Sequence, residues 1–242
     1  MIKRKPILAA LLAVGCLYSA QAPATSLEIT PVGIHLVPGQ RATTIELMNR
    51  GGVAAAIHLR AFAWTQQGDR DVLTPTQDIV LSPPIFTVPT GATQTVRLLL
   101  RRGANGTGQR SYRLLIDEVP PANARDQQIL IAMRVSLPLI IAPAAPAPHA
   151  LKWRAHRGAG GQIILSATNI GNVYDRVTAI AVTLPDGSRP IVAPAGDNPY
   201  ILAGAQRRWT VQAGRAAAAT GELRLNLTTQ SGSSEQVLAL AP

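Results

Sequence analysis

Residues 117–143 read DEVPPANARDQQILIAMRVSLPLIIAP, and within them Ile129, Ile131, Met133, Val135 and Leu137 take every second position. A strand sends alternate side chains to opposite faces, so this run lines one face with large apolar groups and puts Leu130, Ala132, Arg134 and Ser136 on the other. A short polar loop precedes it, and Pro138 and Pro143 limit how far a hydrogen-bonded ladder can continue. On periodicity alone the run reads first as an ordinary core strand of a β-sandwich. Its surroundings decide whether it fills something else.

Upstream, from residue 27, short alternating runs of Val, Ile, Leu and Thr are separated by Gly, Pro, Asn and Asp, with almost no helical period. The pattern predicts strands over 27–36, 43–49, 55–64, 79–81, 85–88, 93–100, 111–119 and 129–141, enough for one sandwich. Pro38-Gly39 and Asn49-Arg50-Gly51-Gly52 mark turns, Gln67-Gly68-Asp69 a hairpin tip, and 103–108 a loose polar loop. Downstream, the Pro-rich stretch 142–148 favours stiff, extended backbone and reads as a joint. Further strands over 151–155, 162–169, 177–184, 207–212 and 222–229 predict a second, smaller sandwich. Asn-X-Gly follows a strand in both halves, as Asn49-Arg50-Gly51 and Asn169-Ile170-Gly171, which suggests two related domains.

The chain opens with Lys3, Arg4 and Lys5, then an apolar stretch over 7–18, then small residues: the layout of a secretory signal peptide, too short for a comfortable membrane span. The expected division is a signal over 1–24, a first domain over 25–142, a linker over 143–150 and a second domain over 151–242. Ala13-Val14-Gly15-Cys16 offers a rival lipoprotein reading, but Ala13 stands where a larger aliphatic residue is usual. Cys16 is the single cysteine, so an exported mature chain would hold no disulfide and no thiolate metal site, and its stability would rest on burial. Removing Lys3, Arg4 and Lys5 from the formal charge of +10 leaves +7, which would attract acidic partners in a salt-dependent way. The arginines are scattered along strands without interleaved aromatics, which argues against nucleic acid.

Enzyme chemistry is equally poorly supplied. His35, His58, His149 and His156 lie far apart with no metal-ligand spacing, Ser82 and Ser111 lack a nucleophile-elbow context, and no cofactor motif is present. The glycine-rich 103–108 loop lacks the Lys-Ser/Thr ending of a phosphate loop.

Taken in order, several segments resemble the periplasmic pilus chaperones of the chaperone-usher pathway, the PapD-type family. They are the opening strand with Pro38-Gly39-Gln40, Leu47-Met48-Asn49, Arg60-Ala61-Phe62-Ala63-Trp64, Leu81-Ser82-Pro83-Pro84-Ile85-Phe86, Val96-Arg97-Leu98, Tyr112-Arg113-Leu114-Leu115, Glu118-Val119-Pro120-Pro121 and the alternating strand. The resemblance implies an all-β protein of two immunoglobulin-like sandwiches in an L-shaped arrangement, located in the periplasm, with no cofactor and no bond chemistry. It implies that Ile129, Ile131, Met133, Val135 and Leu137 form a donor strand that completes the unfinished sheet of pilin-like secreted subunits. Strand addition suits such a row, because main-chain hydrogen bonds supply affinity and pockets take alternate side chains. A free apolar edge also invites self-pairing, so a self-capped dimer is expected of the unoccupied protein. The resemblance further assigns Pro83 and Pro84 to a surface facing an outer-membrane usher.

One departure stands out. The family's best-known class anchors the subunit's terminal carboxylate with a cleft Arg and Lys, and these positions fall at Gly33 and Pro138, which resembles the archaic or alternative branch. An unpaired carboxylate in a partly buried cleft is costly, so another basic group is expected there, with Arg134, Arg97 and Arg113 as candidates. A second class of function, an exported adhesin or carbohydrate-binding module, would bury the alternating row internally and display aromatic rings. The chain holds nine Phe, Trp and Tyr residues in all, which favours the chaperone.

Overall fold

The computed structural model describes residues 26–101, 108–120, 132–190, 192, 198–218 and 221–241. Ile129 and Ile131, and most of the 103–108 loop, lie outside them. The first ten strands are β1 (Leu27–Thr30), β2 (Ile34–Leu36), β3 (Ala42–Asn49), β4 (Ala55–Gln67), β5 (Arg70–Pro75), β6 (Ile79–Ser82), β7 (Ile85–Val88), β8 (Thr93–Leu100), β9 (Arg110–Glu118) and β10 (Arg134–Ile141). Seven more follow: β11 (Leu151–Arg157), β12 (Gln162–Asn169), β13 (Asp175–Thr183), β14 (Tyr200–Ile201), β15 (Gln206–Gln212), β16 (Glu222–Thr229) and β17 (Gly232–Ala241).

Alternation builds the first sandwich. A four-stranded sheet in the order β1-β3-β8-β6 faces a second sheet in the order β2-β10-β9-β4-β5, with β7 also paired to β4. Ile45 and Leu47 on β3 and Val96, Leu98 and Leu100 on β8 turn inward, all at 1% exposure or less. They meet Ile57, Leu59, Leu114, Ile116, Leu139 and Ile141 from the other sheet in one core. The expected strand over 27–36 is two strands in different sheets. β1 pairs with β3, whereas β2 lies parallel to β10, because Pro31 between them has no N–H for a ladder and the chain crosses from one sheet to the other there. The hairpin expected at 67–69 forms between β4 and β5, with Gly68 at φ +58°, the left-handed backbone that a tight hairpin turn needs.

The second sandwich is one curled seven-stranded sheet in the order β14-β13-β16-β17-β11-β12-β15, its halves joined where β17 runs briefly parallel to β11. Strands β5, β14 and β17 have no counterpart in the sequence pattern. β5 and β17 are largely exposed, and β14 is only two residues long, so none carries a clean buried alternation.

The Asn-X-Gly echo extends to atoms. Asn49, fully buried, donates from Nδ2 to the Val53 and Val88 carbonyls at 2.7 and 3.0 Å, while its Oδ1 accepts from Gly51 N at 2.9 Å. Asn169, 1% exposed, donates to the Val173 and Ile201 carbonyls at 2.7 and 2.9 Å and accepts from Gly171 N at 2.9 Å. The backbone N–H of each also donates to the carbonyl of an alanine in a turn distant in sequence, Ala92 or Ala205. Each amide satisfies a chain reversal that would otherwise leave backbone groups unpaired in the interior.

Candidate functional site

The alternating strand is half paired. β9 accompanies β10 along its whole length, from Arg134 opposite Asp117 to Ile141 opposite Arg110, and Glu118 N reaches the Met133 carbonyl at 2.9 Å. On its other side β2 pairs with Leu139, Ile140 and Ile141 alone. Among the described residues, 134–138 therefore have a strand neighbour on one side only, and they present a bare backbone edge that stops where β2 begins.

The apolar face of this strand grades out of the protein's own core. Leu139 is fully buried and Leu137 is 4% exposed, both within the first core, while Val135 packs against that core from its margin and Met133 is half-buried. Leu137 is thereby removed from the row expected to face a partner. Its backbone lies on the bare edge, but its side chain turns into the first core and already has neighbours there. Of the row within the described residues, Met133 and Val135 remain at the margin.

Gly33 and Pro138, the positions implied for the anchoring pair, do come together: a Cβ built on Gly33 would lie 3.5 Å from Pro138 Cγ. Arg113 is the register partner of Pro138 on β9, at the end of the bare edge. Its side chain is 13% exposed, and its guanidinium carbon sits 3.8 Å from the centre of the Trp64 ring and 5.5 Å from that of Tyr200. Burial lowers its pKa, opposed by the charge of Asp71, whose carboxylate lies 3.9 Å away. Arg134 stands at the opposite end of the edge and is 63% exposed. It shares the Asp117 carboxylate with Arg60, which donates to it at 2.6 Å. Burial would raise the Asp117 pKa, but hydrogen bonds and charge from Arg134 and Arg60 outweigh it and hold the carboxyl below its usual range. Arg97 is not part of this site. It projects from β8 between the buried Val96 and Leu98, on the outer face of the other sheet.

Residues from the second sandwich complete the basic joint, and the sequence reading did not find them. The Arg176 guanidinium lies 5.0 Å from the centre of the Tyr200 ring, which also packs edge-on against Trp64 at 5.2 Å and against Tyr174 at 5.1 Å. Arg207, 4% exposed, reaches Asp71 at 3.3 Å. Arg113 and Arg207 thus meet one carboxylate, Asp71, within the joint, and Arg113 and Arg176 both lie against the Tyr200 ring. Trp64 Nε1 and Arg176 Nε are buried donors without a hydrogen-bond partner among the described residues, and both side chains abut Tyr200. Such donors favour an acceptor with negative charge. His35 faces the same joint across from Tyr174, and burial, with the charge of Arg176, lowers its pKa.

Pro83 is half-buried and Pro84 exposed; the Pro84 carbonyl accepts from Leu59 N at 2.8 Å, and the adjacent Ile85 is 65% exposed. The rings an adhesin would display are inside: Trp64, Trp153 and Trp209 are 2%, 7% and 8% exposed, with Trp153 and Trp209 stacked in the second core.

Residues 26–147 match the family described as pili and flagellar-assembly chaperone, PapD N-terminal domain. The fimbrial chaperone YhcA of Escherichia coli (strain K12) is 30% identical over 117 residues, 48% of this chain and 49% of that protein, so the match spans about half the length of this curated relative. The fold is similar to that in the CsuC–CsuE chaperone–tip adhesion subunit pre-assembly complex from archaic chaperone-usher Csu pili of Acinetobacter baumannii, with a TM-score of 0.64, 20% identity, and 90% of this chain and all of that chain covered. It is likewise similar to that in the complex of the Salmonella enterica SafA pilin with the SafB chaperone, with a TM-score of 0.59, 17% identity, and 90% and 98% of the two chains covered. The protein is all-β, and with its core strands, paired sandwiches and matched first domain it belongs to the PapD-type pilus chaperones, a family of chaperones and not of enzymes.

Proposed function

We propose that this protein is a periplasmic chaperone that completes unfinished pilus subunits by donating the bare edge of β10, and passes them to an outer-membrane usher. The observation that carries this reading is the edge over residues 134–138, which has β9 on one side and, among the described residues, no strand on the other. An incoming strand would add main-chain hydrogen bonds there and set its alternate side chains beside Met133 and Val135, continuing the row upstream through Ile129 and Ile131. The strand must stop where β2 begins, at Gly33 and Pro138, and a chain that ended there would bring its terminal carboxylate beside Arg113. Arg113, with Arg176 across the joint, takes the anchoring role that Gly33 and Pro138 cannot supply, while Arg134 steers from the far end of the edge. The exposed Pro84 and Ile85, beside Pro83, offer an apolar corner to the usher. Free protein pairs through the same edge as a self-capped dimer.

The test uses purified protein and a short synthetic strand of alternating valine and threonine, ending either in a free carboxylate or in a carboxamide, with binding followed by tryptophan fluorescence. The carboxylate form binds about tenfold tighter or more, the equivalent of about 1.4 kcal/mol for a charge-assisted contact. Arg113→Met abolishes that preference, and Gly33→Arg, which ordinary contacts allow, restores it. Met133→Asp weakens both forms and prevents recovery of a soluble co-expressed pilin-like subunit while leaving the fold intact. Failure of either strand to bind the folded wild type, or unfolding of Met133→Asp, would overturn the reading.

A further inference from the structure

The two end strands of the second sheet, β14 and β15, would ordinarily present bare edges. The β4–β5 hairpin of the first sandwich covers both. Gln66 Nε2 donates to the Tyr200 carbonyl at 3.0 Å, and Gln66 Oε1 accepts from Leu202 N at 2.9 Å. One group that bonds the carbonyl of one residue and the N–H two residues on reproduces the contact a parallel strand makes, so the side-chain amide stands in for a neighbouring backbone. The second Nε2 hydrogen goes to Asp71 Oδ1 at 2.9 Å, which fixes the orientation of the amide. Three residues on, Asp69 takes one backbone N–H of β15. Its Oδ1 accepts from Arg208 N at 2.9 Å and its Oδ2 from Arg208 Nε at 2.8 Å. Asp71 meanwhile holds Arg207 and accepts from Asn198.

We infer that this hairpin is a strut that sets the angle between the two sandwiches, with Gln66 as the positioning residue that brings Arg176 and Tyr200 against Arg113. The inference rests on the reading of the joint as the anchoring site. The strut acts through hydrogen bonds: Gln66 satisfies the Leu202 N–H and shares the Tyr200 carbonyl with Arg207 Nε, which donates to it at 2.9 Å, on either side of the fully buried Ile201. Asp69 and Arg208 are more exposed and contribute less.

Spin labels on cysteines introduced at Thr95 and Ser234, both exposed and in different sandwiches, report the angle directly. Electron-electron double resonance gives a narrow distance distribution for the wild-type background. Gln66→Ala broadens or shifts it, and Gln66→Met, which keeps the bulk but not the hydrogen bonds, does the same. In both variants the carboxylate preference of the synthetic strand falls about tenfold while the weaker binding of the carboxamide form is unchanged. A merely packing role would leave Gln66→Met with the wild-type distribution, and that result overturns the inference, as does an unchanged distribution in Gln66→Ala. A distribution that broadens while the carboxylate preference holds also overturns it, without touching the capture reading. If the wild type binds neither strand, the capture reading fails on its own, and the distance distributions still decide the strut.

Discussion

The two sandwiches turn their chains on the same buried asparagine, yet they treat their borders in opposite ways. Asn49 and Asn169 make matching sets of hydrogen bonds in equivalent corners. In the second sandwich the end strands are closed, β14 by Gln66, β15 by Asp69 and by a bridge from Val192 to Val211. In the first, β2 begins its pairing with β10 only at Leu139 and, among the described residues, leaves 134–138 uncovered. Exposed edges are usually suppressed because they seed association. That one domain suppresses its edges while the other keeps one open shows that the common architecture carries stability, and the unequal borders carry the capacity to bind a strand.

The largest test of that comparison lies in the shared corner. Asn49→Ala and Asn169→Ala should each lower stability by about 4 kcal/mol, since each leaves buried carbonyls and an N–H unpaired. Urea unfolding of the two variants should give similar losses; a difference of more than about half would break the equivalence of the corners. Next, β10 should divide at Leu137. Leu137→Ala should cost about 3 kcal/mol by opening a cavity in the first core, whereas Met133→Ala, at the margin, should cost less than about 1 kcal/mol. Equal losses in chemical denaturation would mean that the strand is core throughout.

Alkaline titration separates the domains more gently. Burial, aided by a hydrogen bond from its hydroxyl to Asp78 at 2.8 Å, pushes the Tyr112 pKa up to about 12. The folded state holds this proton more tightly than the unfolded one, so the first sandwich should lose stability as pH rises past the ordinary tyrosine value of about 10. Tyr112→Phe should remove that dependence, and ultraviolet absorbance of the phenolate measures it. The smallest effect belongs to the joint. His35 has a lowered pKa, so the folded protein binds its proton less readily than the unfolded one, and stability should fall as pH drops through the ordinary histidine value of about 6.5. Thermal melts of His35→Gln should lack this component; a joint indifferent to pH in the wild type would show that Arg176 and His35 are not coupled.

Much of the first sandwich was legible in the pattern of residues. Ile45, Leu47, Val96, Leu98 and Leu100 announce their face by alternation, and they occupy the core. Less legible was the division within one strand. Val135, Leu137 and Leu139 form a uniform row in sequence, and nothing in their spacing reveals that β2 begins beside Pro138. Arg97 and Arg113 looked alike as basic residues on predicted strands, but one faces outward from the far sheet and the other lies over Trp64. Gln66, Arg176 and Arg207 carried no local signal at all, because Gln66 and Arg207 find partners in the other sandwich and Arg176 meets Tyr200, a residue distant in sequence.

From its residues alone, the chain establishes an all-β protein of two sandwiches with an apolar alternating strand near the end of the first. Those features follow from side-chain period and turn chemistry, which act over a few neighbouring positions. Only the tertiary structure decides which part of that strand is covered and which arginine stands at its end. Those outcomes depend on where a strand from the opposite end of the domain starts pairing and on how a hairpin from one sandwich meets the edge of the other. Coverage and charge neutralisation are set by neighbours distant in sequence, and no local pattern records them.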